Sequence, residues 1–206
     1  MSKSKSDTNA ISMLEKDHET VKALFDRFED AEDSAEKQSI ISEAIQELKI
    51  HATVEEEIFY PAIRKEEGES EVEENVLNEA VVEHHVARML IAELDEAGED
   101  EEYRNARFKV LSEAVRHHIK EEEGKMFPQA KDLDLDFDSL GQQMMERKEE
   151  LISEGVPPDS EHESVQANPV QVWERTTVAG DGGATRQKSE GERKKAGRRK
   201  QPTTGR

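Results

Sequence analysis

Two hundred and six residues with a formal net charge of −20 leave room for one domain and a tail. Charged residues make up 38% and apolar ones 33%, so a core forms only where the few apolar residues keep strict register. No apolar run nears the roughly 18 residues of a membrane span, and the start MSKSKSDTNA lacks a secretory apolar region.

The absence of cysteine excludes disulfides, thiolate zinc sites, thiol nucleophiles and iron–sulfur clusters. Histidine, aspartate and glutamate remain as metal ligands, and a cytoplasmic protein is the expectation. The charge is unevenly spread. Residues 155–206 carry ten Lys/Arg against seven Asp/Glu, which leaves a balance of −23 over 1–154. An acidic body of that kind repels nucleic-acid phosphates and anionic membrane surfaces, so neither is expected as its partner.

Periodicity predicts an all-α, up-down four-helix bundle with a short trailing helix over 1–154, followed by a disordered, mildly basic tail over 155–206. The first helix is expected from about Thr8 to Ala31, capped by Asp7 or Thr8, with the inward stripe Ile11, Leu14, His18, Val21, Phe25 and Phe28. A second, from about Ala35 to Glu66, has the stripe Ile41, Leu48, His51, Glu55, Ile58 and Ala62, with Ala44 or Ile45 between. Gly68 ends it. The third, from about Val72 to Ala97, shows Leu77, Val81, His84, Ala87, Ile91 and Leu94, and Gly98 closes it.

The fourth helix is expected from about Glu101 to Lys131, with Phe108, Leu111, Val115, His118, Glu122 and Met126 inward. A shorter one over about Ser139–Glu154 packs through Leu140, Met144 and Leu151. Beyond it lie Pro157-Pro158, a lone Trp173 in PVQVWERTT, GDGG at 180–183 and the basic run GERKKAGRRK at 191–200. That composition buries too little apolar surface to offset chain entropy. The basic run has no interleaved aromatics and reads as a solubilising tail, its protein partner unknown.

Each helix carries a histidine at the centre of its stripe: His18, His51, His84 and His118. One core histidine is commonly structural, but four at similar depth would each need a buried partner, whereas a shared metal satisfies all of them. Glu55 follows His51 by four residues and Glu122 follows His118 by four, which puts each pair on one helix face. Four imidazoles and two inward carboxylates suit a pair of first-row transition metals with bridging carboxylates and terminal imidazoles.

The two segments form a repeat. HATVEEEIFYP from His51 aligns with HHIKEEEGKMFP when its second histidine, His118, takes the place of His51; Tyr60 then matches Phe127, and Pro61 matches Pro128. Each proline is expected to kink or end its helix beneath the site. Stripe quality favours His84 over His85 and His118 over His117.

The stretches EKDHETVKALF, HATVEEEIFYP, VVEHHVARMLIAEL and HHIKEEEGKMFP, in that order, resemble the hemerythrin-like HHE cation-binding domains. LGQQMMERKEEL resembles the trailing helix of bacterial members, so the resemblance spans about residues 7–152. It implies an all-α bundle with a non-haem di-iron site, His18, His51, Glu55, His84, His118 and Glu122 as ligands, and the two glutamates bridging. Oxygen-carrying members place a second histidine four residues after the third-helix ligand. Here Arg88 stands there, so the site is one nitrogen ligand short, with an open position or a recruited carboxylate such as Glu15 or Glu83.

The expected function is a di-iron module that binds or senses O2, NO or iron, with a diatomic molecule as its ligand. One alternative is a di-iron oxidoreductase acting on peroxide, Fe(II) or NO, since an open metal position invites substrate chemistry. Another is a scaffold whose metal is structural and whose tail binds partners. Imidazole-rich ligation favours the first of the three.

Overall fold

In the computed structural model the chain is described over residues 9–67, 71–96 and 100–167, without the side chains of 67 and 71–74. The expected caps Asp7 and Thr8, the expected stops Gly68 and Gly98, and the sequence beyond 167, with Trp173 and the basic run, lie outside the described residues.

Helix starts are fixed by short polar side chains. Asn9 accepts the Ser12 N–H at 3.4 Å and opens α1 (Ala10–Asp30). Asp33 accepts the Glu36 N–H at 2.9 Å before α2 (Ser34–Val54). Each such contact satisfies one of the N–H groups that a helix N-terminus leaves unpaired. Helix α2 passes through a π-helical turn, Glu55–Phe59, into α3 (Tyr60–Glu67). Then come α4 (Glu71–Asp95) and α5 (Glu101–Glu121), the latter capped by Asp100. A second π turn, Glu122–Met126, leads into α6 (Phe127–Ala130), followed by α7 (Phe137–Glu154) and α8 (Ser160–Ala167).

Four long helical runs make the bundle. α1 packs on α2, α4 packs on α5, and α7 lies across α1 and α2. The core is divided in two. Leu14, Ile50, Phe59, Ile63, Leu77 and Met144 belong to one apolar cluster, and Phe25, Ile40, Ile91, Phe108 and Leu111 to the other. Between the two stands a buried polar layer, which is the site. Among the described residues there is no strand, and no helix is long and apolar enough to cross a membrane.

Two expectations about the second helix are corrected together. Pro61 does not end its helix at the site: it lies just past a π turn and the helix runs on to Glu67, whereas after Pro128, placed likewise just past a π turn, the helix ends at Ala130. A proline ring collides with the carbonyl four residues back, here Glu57 and Gly124, and a widened turn relieves that clash. The extra residue shifts the register: Phe59 and Ile63 are fully buried, whereas the expected Ile58 and Ala62 are only half-buried. In α4 the stripe uses Ala80, which leaves the expected Val81 exposed at 41%. The steps Leu77, Ala80, His84, Ala87, Ile91, Leu94 then alternate strictly between three and four.

The predicted tail begins too early. Gly155, with φ +86°, ends α7 in a conformation that favours glycine, its N–H bonded to Leu151 O. The chain then crosses back, and α8 packs on α4 with Val165 buried. Mean composition concealed this segment because polar contacts anchor it: Glu161 to His85, His162 to Asp95, and Gln166 to Glu96.

Candidate metal centre

His18, His51, Glu55, His84, His118 and Glu122 all converge in the polar layer, each less than a tenth exposed. The neighbouring histidines do not. His85 is 62% exposed and bonds Glu161 of α8; His117 is 60% exposed, near Glu83. The arbitration by stripe quality thus selected the inward member of each pair.

The layer holds two groups of potential ligands that share one carboxylate. His18, His51, Glu55 and Glu122 form one; Glu55, His84 and His118 form the other. In each group the ligand atoms lie within 4.8 Å of one another. Glu55 divides its oxygens, Oε1 lying 3.2 Å from His51 Nε2 and Oε2 3.4 Å from His84 Nε2. Glu122 Oε2 is 3.1 Å from His18 Nε2 and 3.4 Å from His118 Nε2. Each carboxylate therefore touches a histidine from either group.

Every one of the four rings turns its other nitrogen toward an outer carboxylate. His18 Nδ1 lies 3.0 Å from Glu123, His84 Nδ1 2.7 Å from Glu56 and His118 Nδ1 2.8 Å from Glu83; His51 Nδ1 faces Asp17 at 3.6 Å. Ionised carboxylates only accept, so these Nδ1 atoms carry the protons and the inward Nε2 atoms present lone pairs. That arrangement is the usual support of a metal-bound imidazole. The spacing of ligands in sequence gave no sign of these four supporting contacts, because each acid comes from a different helix than the histidine it holds.

A metal fits this donor set on direct structural grounds. His18 Nε2, His51 Nε2, Glu55 Oε1 and Glu122 Oε2 are all buried without a hydrogen-bond partner. Orphaned buried polar atoms are rare and costly. Here they are the atoms that face one another across the layer, as lone pairs converging on cations would.

Without a metal, protons must balance the acids. Burial disfavours a charged His51, but Glu55 and Asp17, with more distant Glu122, outweigh it and push its pKa up to about 10. Burial likewise opposes charge on His84, yet Glu55 and Glu56 raise it to about 9. Glu55, although buried, is held well below the usual carboxylate range by His51 and His84.

Tyr60 completes the layer. Its hydroxyl donates to Glu122 Oε1 at 2.7 Å and lies 3.4 Å from Glu55 Oε2 and 3.5 Å from His84 Nε2. Burial, with Glu122 and Glu55 beside it, pushes the phenol well above its ordinary pKa of 10. A regular α-helix would place Tyr60 about 140° around from Glu55; the π turn, with Tyr60 N–H bonded to Glu55 O, brings it back. Phe127 occupies the matching position and stacks on His18, centroids 5.7 Å apart. The repeat is therefore broken by one hydroxyl.

Arg88, in place of a further histidine, does not open onto the layer. It grips Glu56 with both terminal nitrogens and so backs the carboxylate that holds His84. Neither carboxylate expected to fill in becomes an inward ligand: Glu83 takes the outer side of His118, and Glu15 pairs with Lys131 at 3.6 Å. Helix α7 also reaches the site, since Lys148 holds Asp17 at 2.6 Å and Arg147 holds Glu57 at 2.7 Å.

A family model described as the Hemerythrin HHE cation binding domain matches residues 9–130. Among solved structures, a Hemerythrin HHE cation binding domain-containing protein from Mycobacterium kansasii is similar with a TM-score of 0.57. It is 24% identical, and the match covers 71% of this chain and 94% of that one, a likeness that speaks for the fold. A curated relative from Nostoc sp., named DNA nickase, is 25% identical over 123 residues, 60% of this chain and 34% of its own. The chain spans about a third of that relative's length.

Proposed function

The chain belongs to the Hemerythrin HHE cation binding domain family, and on that premise we propose that its polar layer holds two iron ions and binds a small diatomic ligand, O2 or NO. The observation that carries this reading is the pair of ligand groups sharing Glu55, with the His18, His51, Glu55 and Glu122 donors of one group left without hydrogen-bond partners. His18 and His51 would hold one ion, His84 and His118 the other, and Glu55 and Glu122 would bridge. Tyr60 supplies the oxygen donor beside His84, where the site is one nitrogen short. Iron so held supplies redox chemistry and an exchangeable position for the ligand.

This chain's residues keep the rings oriented through the outer acids, hold the site between two apolar clusters, and exclude bulk water. Imidazole-rich ligation supports binding over strongly oxidising turnover. Elemental analysis of the purified chain tests the metal, with two irons per chain expected. Absorbance of the reduced, iron-loaded chain tests the ligand: charge-transfer bands should appear on exposure to O2 or NO. A chain filled with zinc, or spectra indifferent to both gases, would overturn the reading.

A further inference from the structure

The centre has an internal two-fold pattern that extends beyond its ligands. Asp17-His18 with Lys22 on α1 corresponds to Glu83-His84 with Arg88 on α4, and Glu55-Glu56-Glu57 corresponds to Glu122-Glu123-Gly124. Lys22 and Arg88 each follow their histidine by four residues, and each grips the acid that faces it. Lys22 lies 3.1 Å from Glu123, and Arg88 holds both oxygens of Glu56. Arg88 is thus the counterpart of Lys22, and in these contacts the two halves agree.

Helix α7 breaks the agreement. It packs on α1, α2 and the first π turn. Lys148 Nζ holds Asp17 at 2.6 Å and lies 3.8 Å from Glu47, so it staples α1 to α2 behind His51, which Asp17 faces at 3.6 Å. Arg147 forks onto both oxygens of Glu57, at 2.7 and 3.1 Å, and so fixes the turn that carries Glu55. The other half lacks both contacts. Glu83 bonds His118 at 2.8 Å, yet the one further basic side chain paired with it among the described residues is His117, 60% exposed and 3.5 Å away. In place of Glu57 stands Gly124, with open space where a Cβ would lie and no side chain to grip.

We propose that Arg147 and Lys148 are positioning residues: through them α7 stiffens the His51–Glu55 half of the centre, so that the ion at His18 and His51 is held more tightly than the ion at His84 and His118. A ligand already fixed in its bound orientation loses less freedom when a cation arrives. Isolated surface ion pairs add little, but a bidentate arginine fork and a lysine shared between two acids are geometries in which they count. Gly124 acts in the opposite sense, because glycine inside a helix has more backbone freedom to lose.

The unequal stiffness is tested without metal, and only the unequal retention rests on the iron reading. In the full metal-free chain, amide hydrogen exchange compares two equivalent bonds, Tyr60 N–H to Glu55 O and Phe127 N–H to Glu122 O. The Tyr60 amide should be protected about ten-fold more, and Arg147→Gln with Lys148→Met should shrink that gap to about three-fold or less, with circular dichroism unchanged. Equal protection in the original chain, or a gap that the double variant keeps, would overturn the proposal.

Anaerobic titration with Fe(II) should resolve two steps, the tighter abolished by His51→Ala and the weaker by His118→Ala. The double variant should weaken the tighter step roughly three- to ten-fold and leave the other within about two-fold, and Arg147→Lys with Lys148→Arg should restore it. Equal losses in both steps would make α7 a general support of the fold and sink the unequal halves. A chain that shows the exchange gap but takes up no iron would support the stiffening by α7 and count against the iron reading alone.

Discussion

His84 and His118 bring their Nε2 atoms to 3.1 Å from each other while each turns its Nδ1 outward to a glutamate. Two imidazole lone pairs at that distance repel unless a cation or a proton lies with them. The centre is thus built around positive charge, and the metal-free chain must find it in protons.

That requirement sets a pH dependence. His51 and His84 have folded pKa values of about 10 and about 9, above the ordinary value near 6.5. A raised histidine contributes stability that is complete below the unfolded pKa and is lost as pH climbs through the folded one. Glu55, depressed when folded, adds stability that is present above the usual carboxylate range and lost in acid. Thermal unfolding of the metal-free chain should give its highest Tm near pH 5–6.5 and a steady fall toward pH 10. Bound cations replace those protons, so the iron-loaded chain should fall far less. A metal-free Tm that is flat or rises between pH 6.5 and 9 would sink the assignment.

Glu55 is the carboxylate common to both ligand groups. Glu55→Ala should therefore reduce bound iron from two per chain to one or fewer, and His51→Ala should remove most of the thermal stabilisation that iron gives. Titration with Fe(II), followed by elemental analysis and calorimetry, reads both. An unchanged iron count in Glu55→Ala would exclude it as a shared ligand.

The outer acids should matter nearly as much. Glu56→Gln and Glu83→Gln leave every inward donor in place but weaken the groups that orient His84 and His118. Iron affinity should drop by about 10- to 100-fold, with the helical content preserved. Competition with a chelator measures the drop, and affinities within two-fold of the original would reduce these acids to surface charge.

The four-helix plan, the histidine on each stripe and the H-x-x-x-E pairs were legible because they follow the α-helical period. The supporting acids were not. Asp17 meets His51, Glu56 meets His84 and Glu83 meets His118 across helix interfaces, and no spacing within one helix encodes that. Tyr60 was hidden for another reason: a stripe read at a constant 3.6 residues per turn continues to Ile58 and Ala62, and the π turn moves it by one. Helix α8 escaped because its composition is polar and its anchors are side chains of α4.

The π turn itself can be tested through Tyr60. Pro61 cannot donate to Glu57 O, and its ring would strike that carbonyl in a regular helix. Replacing it with alanine restores the donor and removes the clash, so the segment can return to α-helical register and carry the Tyr60 hydroxyl away from Glu122 and His84. A phenol bound to ferric iron absorbs strongly in the visible range, and Tyr60→Phe should abolish that band while keeping the iron. Pro61→Ala should weaken the same band although the tyrosine is still present, with far-UV circular dichroism unchanged or slightly more helical. If Pro61→Ala kept the full band and Tyr60→Phe lost it, proline would not be what sets the turn. A full band in Tyr60→Phe would instead leave Tyr60 as a hydrogen-bond donor to Glu122 and nothing more.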